Sequence, residues 1–264
     1  MSSLENALKI MLLLQPGRPV LRVGEVCRDL GIPKSSVSRL LKTLSEYGLL
    51  EREGSESGYV AGPRSLLLAD LYSKQHSLKD QVDIALTRVT AEFGFAGYAS
   101  VLNGSDIIIL SVNHGTYPLR LVREIGQPMP AFTTSVGRAL LAYLDDDEIV
   151  RRARAGIGDR YTDKVILERI KLVRDFGVAW GNSAIIPGIA ALAVAIRDGA
   201  RDEALGFSIS YPTSAVGPEL RIRMLRRLRE EASAIGLRIR DSFWQGRNLD
   251  GWAVPNFPQD DLNE

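Results

Sequence analysis

The 264 residues include only one cysteine, Cys27, and two histidines, His76 and His114. A single thiol excludes an internal disulfide and a thiolate zinc cluster, and it fits a reducing cytoplasm, the expected compartment. The histidines lie far apart and no carboxylate pair at metal-binding spacing accompanies them, so no metal and no cofactor are expected. No glycine-rich phosphate loop precedes a helix, and no nucleophile is set beside a base. An enzyme is therefore not expected, and no catalytic residues are assigned. Long apolar runs are missing too. The stretch from Ile10 to Leu14 is far too short to span a bilayer and lacks the charged start and small-residue exit of a signal peptide, so no membrane association is expected. Charge of one sign is also lacking: 33 Lys and Arg face 32 Asp and Glu, for a net charge of +1. Any nucleic-acid contact must then come from a local patch.

Such a patch exists. No acid lies between Gly31 and Ser45. Val23 to Leu30 read as a short helix that Gly31 ends, since a residue tolerant of positive φ turns the chain there. Pro33 suits the first turn of the next helix. That helix turns Val37, Leu40, Leu41 and Leu44 inward and Lys34, Ser35, Ser38, Arg39 and Lys42 outward, until Tyr47-Gly48 stops it. A helix before it, Leu4 to Leu14, ends at Gln15-Pro16-Gly17. After it, Leu49–Arg52 and Gly58–Ala61 flank a polar tip and predict a β-hairpin. Helix, helix-turn-helix and hairpin make a winged helix. Arg39 is the residue expected to reach guanine in a major groove, with Ser35, Ser36, Ser38 and Thr43 beside it. Lys34, Lys42, Arg52 on the wing and Arg64 suit phosphates, which supply affinity but little sequence information. Three basic residues on a helix would by themselves suggest only a solvated face; the turn and the hairpin favour double-stranded DNA as the partner.

Pro63 to Lys74 is more apolar than one small neighbour could cover, and reads as a linker helix packing on another subunit or on the second domain. From Ser77 the texture changes. Helices are expected at Leu78–Phe93, Ser135–Leu144, Asp147–Ala155, Asp163–Phe176 and Gly217–Ile235. Strands are expected at Ala96–Leu102, Asp106–Val112, Pro118–Glu124, Val178–Asn182, Ile189–Ile196 and Leu205–Ser210, with Asn103-Gly104 as a hairpin turn. The class is α+β, with a mixed or antiparallel sheet flanked by helices. The expected boundaries are 1–62 for the winged helix-turn-helix, 63–76 for the linker helix, 77–245 for the second domain and 246–264 for a loose tail. Arg221, Arg223, Arg226, Arg227 and Arg229 lie on a helix with an apolar stripe, and a solvated face is favoured over a second nucleic-acid site.

The chain resembles the IclR (isocitrate lyase regulator) family of bacterial transcription regulators. Ala131 to Ala142 (AFTTSVGRALLA) is similar to the family's LHATALGKALLA. Gly177 to Gly188 (GVAWGNSAIIPG), running into Ala191 to Asp198 (ALAVAIRD), is similar to the family's GYA…PG…CIAAPVRD. The likeness runs in matching order from about Leu4 to Ile239. It implies a GAF-like effector domain, a dimer or dimer of dimers, and a small-molecule effector. From the residues alone, Thr133, Thr134 and Ser135 before a helix read as capping or as an anion site; the resemblance places this loop, with Val136 and Gly137, on the effector pocket. The family's usual histidine is Phe132 here, its usual cysteine is Ala191, and Gly181-Asn182-Ser183-Ala184 lacks the family's acids. The resemblance thus implies a less acidic pocket with Phe132 as added apolar wall, Asn182 as a polar contact, and an effector with an apolar or aromatic body and one acidic group.

Overall fold

The computed structural model describes residues 2–54, 58–75, 77–118, 123–183 and 186–247. Contacts divide the chain into two units between residues 76 and 77.

In the first unit, α1 (Ser3–Leu12) begins where the Ser2 hydroxyl accepts the Glu5 N–H at 3.1 Å. Next come β1 (Leu21–Arg22) and α2 (Val23–Leu30). Gly31 ends α2 in the left-handed region at φ 64°, its N–H bonded to Cys27 O at 3.0 Å. The turn then passes through Pro33, which caps α3 (Lys34–Glu46) in extended conformation instead of joining its first turn. β2 (Leu50–Arg52) and β3 (Gly58–Ala61) form the hairpin, and β1 joins them in the order β1-β3-β2, all antiparallel. Ile10, Leu21, Val26, Val37, Leu41, Leu50 and Tyr59 make the core, with Leu40 and Leu44 partly buried around it. The unit closes with α4 (Arg64–Gln75). Leu4, Leu8 and Leu12 form an exposed stripe at four-residue spacing on α1, and α4 exposes Leu66, Leu67, Leu68 and Leu71.

The second unit is three layers deep. Its six-stranded sheet runs β6-β5-β4-β9-β8-β7, every pairing antiparallel. The strands are β4 (Ala96–Asn103), β5 (Asp106–Asn113), β6 (Pro128–Pro130), β7 (Ala179–Asn182), β8 (Ile189–Asp198) and β9 (Glu203–Pro212). Side chains alternate between two cores. On one face Ala99, Leu192, Val194, Phe207 and Ile209 pack with α5 (Ser77–Phe93) and α9 (Pro218–Arg238). On the other face Tyr98, Ile107, Ile109, Ala193 and Ala195 lie under α6 (Ser135–Leu141), α7 (Asp146–Ile157) and α8 (Asp163–Phe176). Each fully buried Ile, Leu or Phe adds roughly 1.5–3 kcal/mol through removal from water. α6 reaches the sheet because Gly206 on β9 has no side chain: a Cβ there would meet Val136 Cγ2 at 2.5 Å.

The expected strand at Pro118–Glu124 has its middle, residues 119–122, outside the described residues; Pro118, Arg123 and Glu124 are not in a strand. Two strands were not expected. β1 is two residues long and exists only by pairing with Gly58 and Tyr59, and β6 carries two prolines. α6 stops at Leu141, three residues before its expected end.

Candidate functional site

In the first unit, α3 presents Lys34, Ser35, Ser38, Arg39, Lys42 and Thr43 to solvent, while Ser36 is half-buried. Only Lys42 of these is in a described ion pair, at 3.6 Å from Glu46 and largely exposed, so the face stays cationic. Arg52 stacks over the Tyr59 ring at 5.2 Å, which fixes it on the wing. Arg64 is exposed and lays its side chain over Gly48, whose Cβ position lies 3.2 Å from Arg64 Cγ. The basic run on α9 differs. Arg223 and Arg226 are exposed, as expected of a solvated face, whereas Arg227 pairs with Glu92 at 3.4 Å and Glu231 at 2.8 Å and Arg229 is buried, so part of the run serves packing.

In the second unit a cavity of about 570 Å³, counting its open mouth, lies between α6 and the sheet. Of the expected residues, Thr133, Thr134, Ser135, Val136, Asn182 and Ala191 line it. Phe132 does not: it is 2% exposed and meets Tyr161 edge-on at 5.7 Å, so it belongs to the core beneath the loop and adds no cavity wall. Gly137 is also absent from the wall. Its role is close approach, since a Cβ there would lie 2.0 Å from Ala131 O.

The loop is held from within. Thr134 caps α6 by accepting the Gly137 N–H at 3.0 Å and donates to Ala131 O at 3.1 Å. Ser135 donates to Ala191 O at 3.2 Å, joining α6 to β8. Capping is thus what Thr134 does, and α6 has only seven residues, so the helix end offers a weaker anion site than the sequence suggested. The fully buried Arg138 donates to Phe132 O at 2.9 Å, to Trp180 O at 2.8 Å and to Ser135 Oγ at 3.4 Å. Burial, with repulsion from Arg169, brings its pKa down to about 10, so it stays charged at neutral pH.

Sequence reasoning missed several lining residues. Tyr98 and Ser100 come from β4, Ile107 and Ile109 from β5, Met129 from β6, and Ser208 and Ser210 from β9. The least foreseen is Arg123, the one charged residue on the wall among those described. Its guanidinium meets Met129 Sδ and, at 3.5 Å, Ser183 Oγ. Met129 lies on one edge strand and Ser183 follows the other, so the sheet curls enough for one side chain to reach both edges. Burial lowers the Arg123 pKa and the nearby Tyr98 counters it; burial likewise raises the Tyr98 phenol. The wall combines one cation, several hydroxyls and an aliphatic surface, with no acidic side chain among the described residues.

Comparison with known proteins gives a consistent result. The IclR helix-turn-helix domain model matches residues 3–54, and the model of the bacterial transcriptional regulator IclR C-terminal domain matches residues 71–237. The HTH-type transcriptional regulator BhcR of Paracoccus denitrificans is 26% identical over 217 residues, covering 80% of this chain and 77% of the relative. The glycerol operon regulatory protein of Streptomyces coelicolor is 28% identical over 245 residues, covering 88% and 94%. Among solved structures, an IclR transcriptional regulator from Alicyclobacillus acidocaldarius superposes with a TM-score of 0.76 at 22% identity, covering 92% of this chain and 98% of that one. An IclR homologue from Microbacterium hydrocarbonoxydans, complexed with 4-hydroxybenzoate, superposes with a TM-score of 0.75 at 18% identity, covering 90% and 99%.

Proposed function

The chain belongs to the IclR family of bacterial transcription regulators, and from that premise we propose that a small organic acid binds the α6 cavity and alters how the winged heads hold operator DNA. The observation that carries the effector reading is the wall chemistry: Arg123 alone is charged, amid hydroxyls and aliphatic groups. An acid with an apolar or aromatic body fits such a wall. The complex of a structural neighbour with 4-hydroxybenzoate supports this class of ligand. Arg123, and not the capped helix end, is the partner for the acidic group.

On DNA, Arg39 with Ser35, Ser36, Ser38 and Thr43 reads bases, while Lys34, Lys42, Arg52 and Arg64 hold phosphates. The exposed leucines of α1 and α4 support self-association in the cytoplasm as a dimer or a dimer of dimers, since apolar stripes of this kind mark contact surfaces. Paired heads would read half-sites about one helical turn, roughly 34 Å, apart. The ligand need only bind two states unequally for the domains to be coupled.

The test is a gel-shift with the DNA upstream of the protein's own gene, run across a salt series, with and without small carboxylates chosen by thermal shift. Sequence-selective, salt-sensitive retardation that an acid changes is expected. Retardation without any effect of a stabilising acid would sink the effector reading; no retardation would sink the proposed operator.

A further inference from the structure

The ordered chain does not stop at the end of α9. Arg240 takes the left-handed conformation at φ 58°, and the Asp241 N–H bonds back to Gly236 O at 2.8 Å, so the chain turns off the helix there. Residues 241–247 then run as a strap. Trp244 is buried in the core beside α9, while Asp241 and Arg247 reach across to the ends of α6 and α8. The IclR C-terminal domain match ends at residue 237, so the strap lies beyond it. Past Ala193, β8 has no strand along its outer edge among the described residues. Side chains of the strap take the place of one. The Trp244 indole N–H donates to Ala195 O at 2.9 Å, and Asp241 Oδ2 accepts the Arg197 N–H at 2.8 Å.

The strap also grips the cavity roof. Asp241 is buried; its Oδ2 accepts the Tyr143 hydroxyl at 2.7 Å and its Oδ1 accepts the Phe243 N–H at 2.9 Å. Tyr143 lies just past the end of α6, and its ring centre is 5.0 Å from that of Phe243. Burial first, and then the charge of Asp241, raises the Tyr143 phenol, so it keeps its proton and donates. A second route passes through α8. Arg247 stacks on Phe243 at 4.0 Å and donates to Arg174 O and, at 3.1 Å, to Asp175 O. Arg174 in turn donates to Ala142 O at 3.0 Å and Leu144 O at 2.5 Å, carbonyls at the same end of α6. α6 has seven residues, so it is roughly 10 Å long and moves as one piece. Arg138 pins its entry and the strap pins its exit; Ser135 and Val136, between the two, line the cavity.

We propose that the strap is a latch on the cavity roof. Asp241 is a positioning residue that sets α6 through Tyr143, and strap closure and cavity occupancy stabilise each other. This rests on the reading that the α6 cavity holds the effector. A ligand between α6 and the sheet favours the same roof position that the closed strap favours, and such coupling acts in both directions.

The experiment is hydrogen exchange of the full chain, read by mass spectrometry. It is run with and without whichever of benzoate, 4-hydroxybenzoate and propionate raises the melting point most. Tyr143→Phe removes one oxygen and keeps the ring. In it, amides of residues 135–144 and 241–247 are both expected to exchange ~10-fold faster, the worth of one hydrogen bond to a charged group. α5 and β4 are expected to keep their protection. Asp241→Asn retains an acceptor and is expected to fall between. In the native chain the acid is expected to slow exchange in the strap, which does not line the cavity. In Tyr143→Phe it is expected to bind roughly fivefold more weakly and to leave strap exchange unchanged. Faster exchange confined to the strap, or spread evenly through α5 and β4, overturns the positioning role. An acid that binds the native chain without slowing strap exchange overturns the coupling. If none of the three acids binds, the small-acid reading falls, and α6 exchange in the two variants still decides for or against the latch.

Discussion

Arg138 donates to the main-chain oxygen of Trp180 at 2.8 Å, so the helix that roofs the cavity is tied to the sheet's edge strand by a buried charge. The same guanidinium holds Phe132 O at 2.9 Å, which fixes the loop entering that helix. Positioning of the cavity wall thus depends on a residue that does not line it.

Arg138→Met is expected to remove the donor from the buried Phe132 oxygen and from the part-buried Trp180 oxygen. Each loss of this kind costs about 1–3 kcal/mol, so a loss of roughly 3 kcal/mol is expected in urea unfolding. Arg138→Lys keeps the charge but cannot span the three acceptors, and is expected to fall between. Equal stability of all three proteins would contradict the tie.

Two glycines at the same roof are expected to differ in tolerance. At Gly206 an added Cβ meets the Val136 side chain at 2.5 Å, and Gly206→Ala is expected to cost about 1–3 kcal/mol. Trimming the obstacle with Val136→Ala in the same chain is expected to recover part of it. At Gly137 the obstacle is backbone, Ala131 O at 2.0 Å, and Gly137→Ala is expected to cost more with no side-chain rescue. Thermal melts of the three variants decide.

On DNA, Arg39→Ala is expected to relax sequence preference by about 1–3 kcal/mol at one base position. Lys42→Ala is expected to weaken all sequences alike and to reduce the salt slope by about 1. Titrations of specific and scrambled duplexes at several salt concentrations separate the two. Identical profiles for both variants would remove Arg39 from base reading.

Acid stability has a local handle on α7. Hydrogen bonds from Arg151, at 2.7 and 2.5 Å, and from Arg152, at 2.5 Å, hold the Glu148 carboxyl down at about 2. An unfolded Glu titrates near ~4.3, so the contribution is present above that pH and is lost as pH falls toward about 2. The stability gap between the native protein and Glu148→Gln is expected to close over that window. A gap constant from pH 5 to pH 2 would remove the carboxylate from the explanation.

Local chemistry was the legible part. Gly31 turns the chain at φ 64° and Gly104 at φ 60°, both where a glycine in that setting predicts a turn. The acid-free face of α3 was also visible, because a helix displays its period in order along the chain. Residues joined only by pairing were not. Ser100, Ser208 and Ser210 look like ordinary strand serines until the sheet places them on one face under α6. Arg123 lies far in sequence from Ser183, and only the curl of the sheet brings them together. Phe132 shows the opposite failure: its motif position suggested a wall, but the chain turns the ring inward to Tyr161.

The shortness of β6 has one further effect. Of its three residues two are prolines, Pro128 and Pro130, which leaves Met129 as its sole amide donor. A strand of that kind makes a poor template for a neighbour's strand. At that rim the domain resists runaway cross-β polymerisation, so crowding many copies near a promoter need not seed aggregates there.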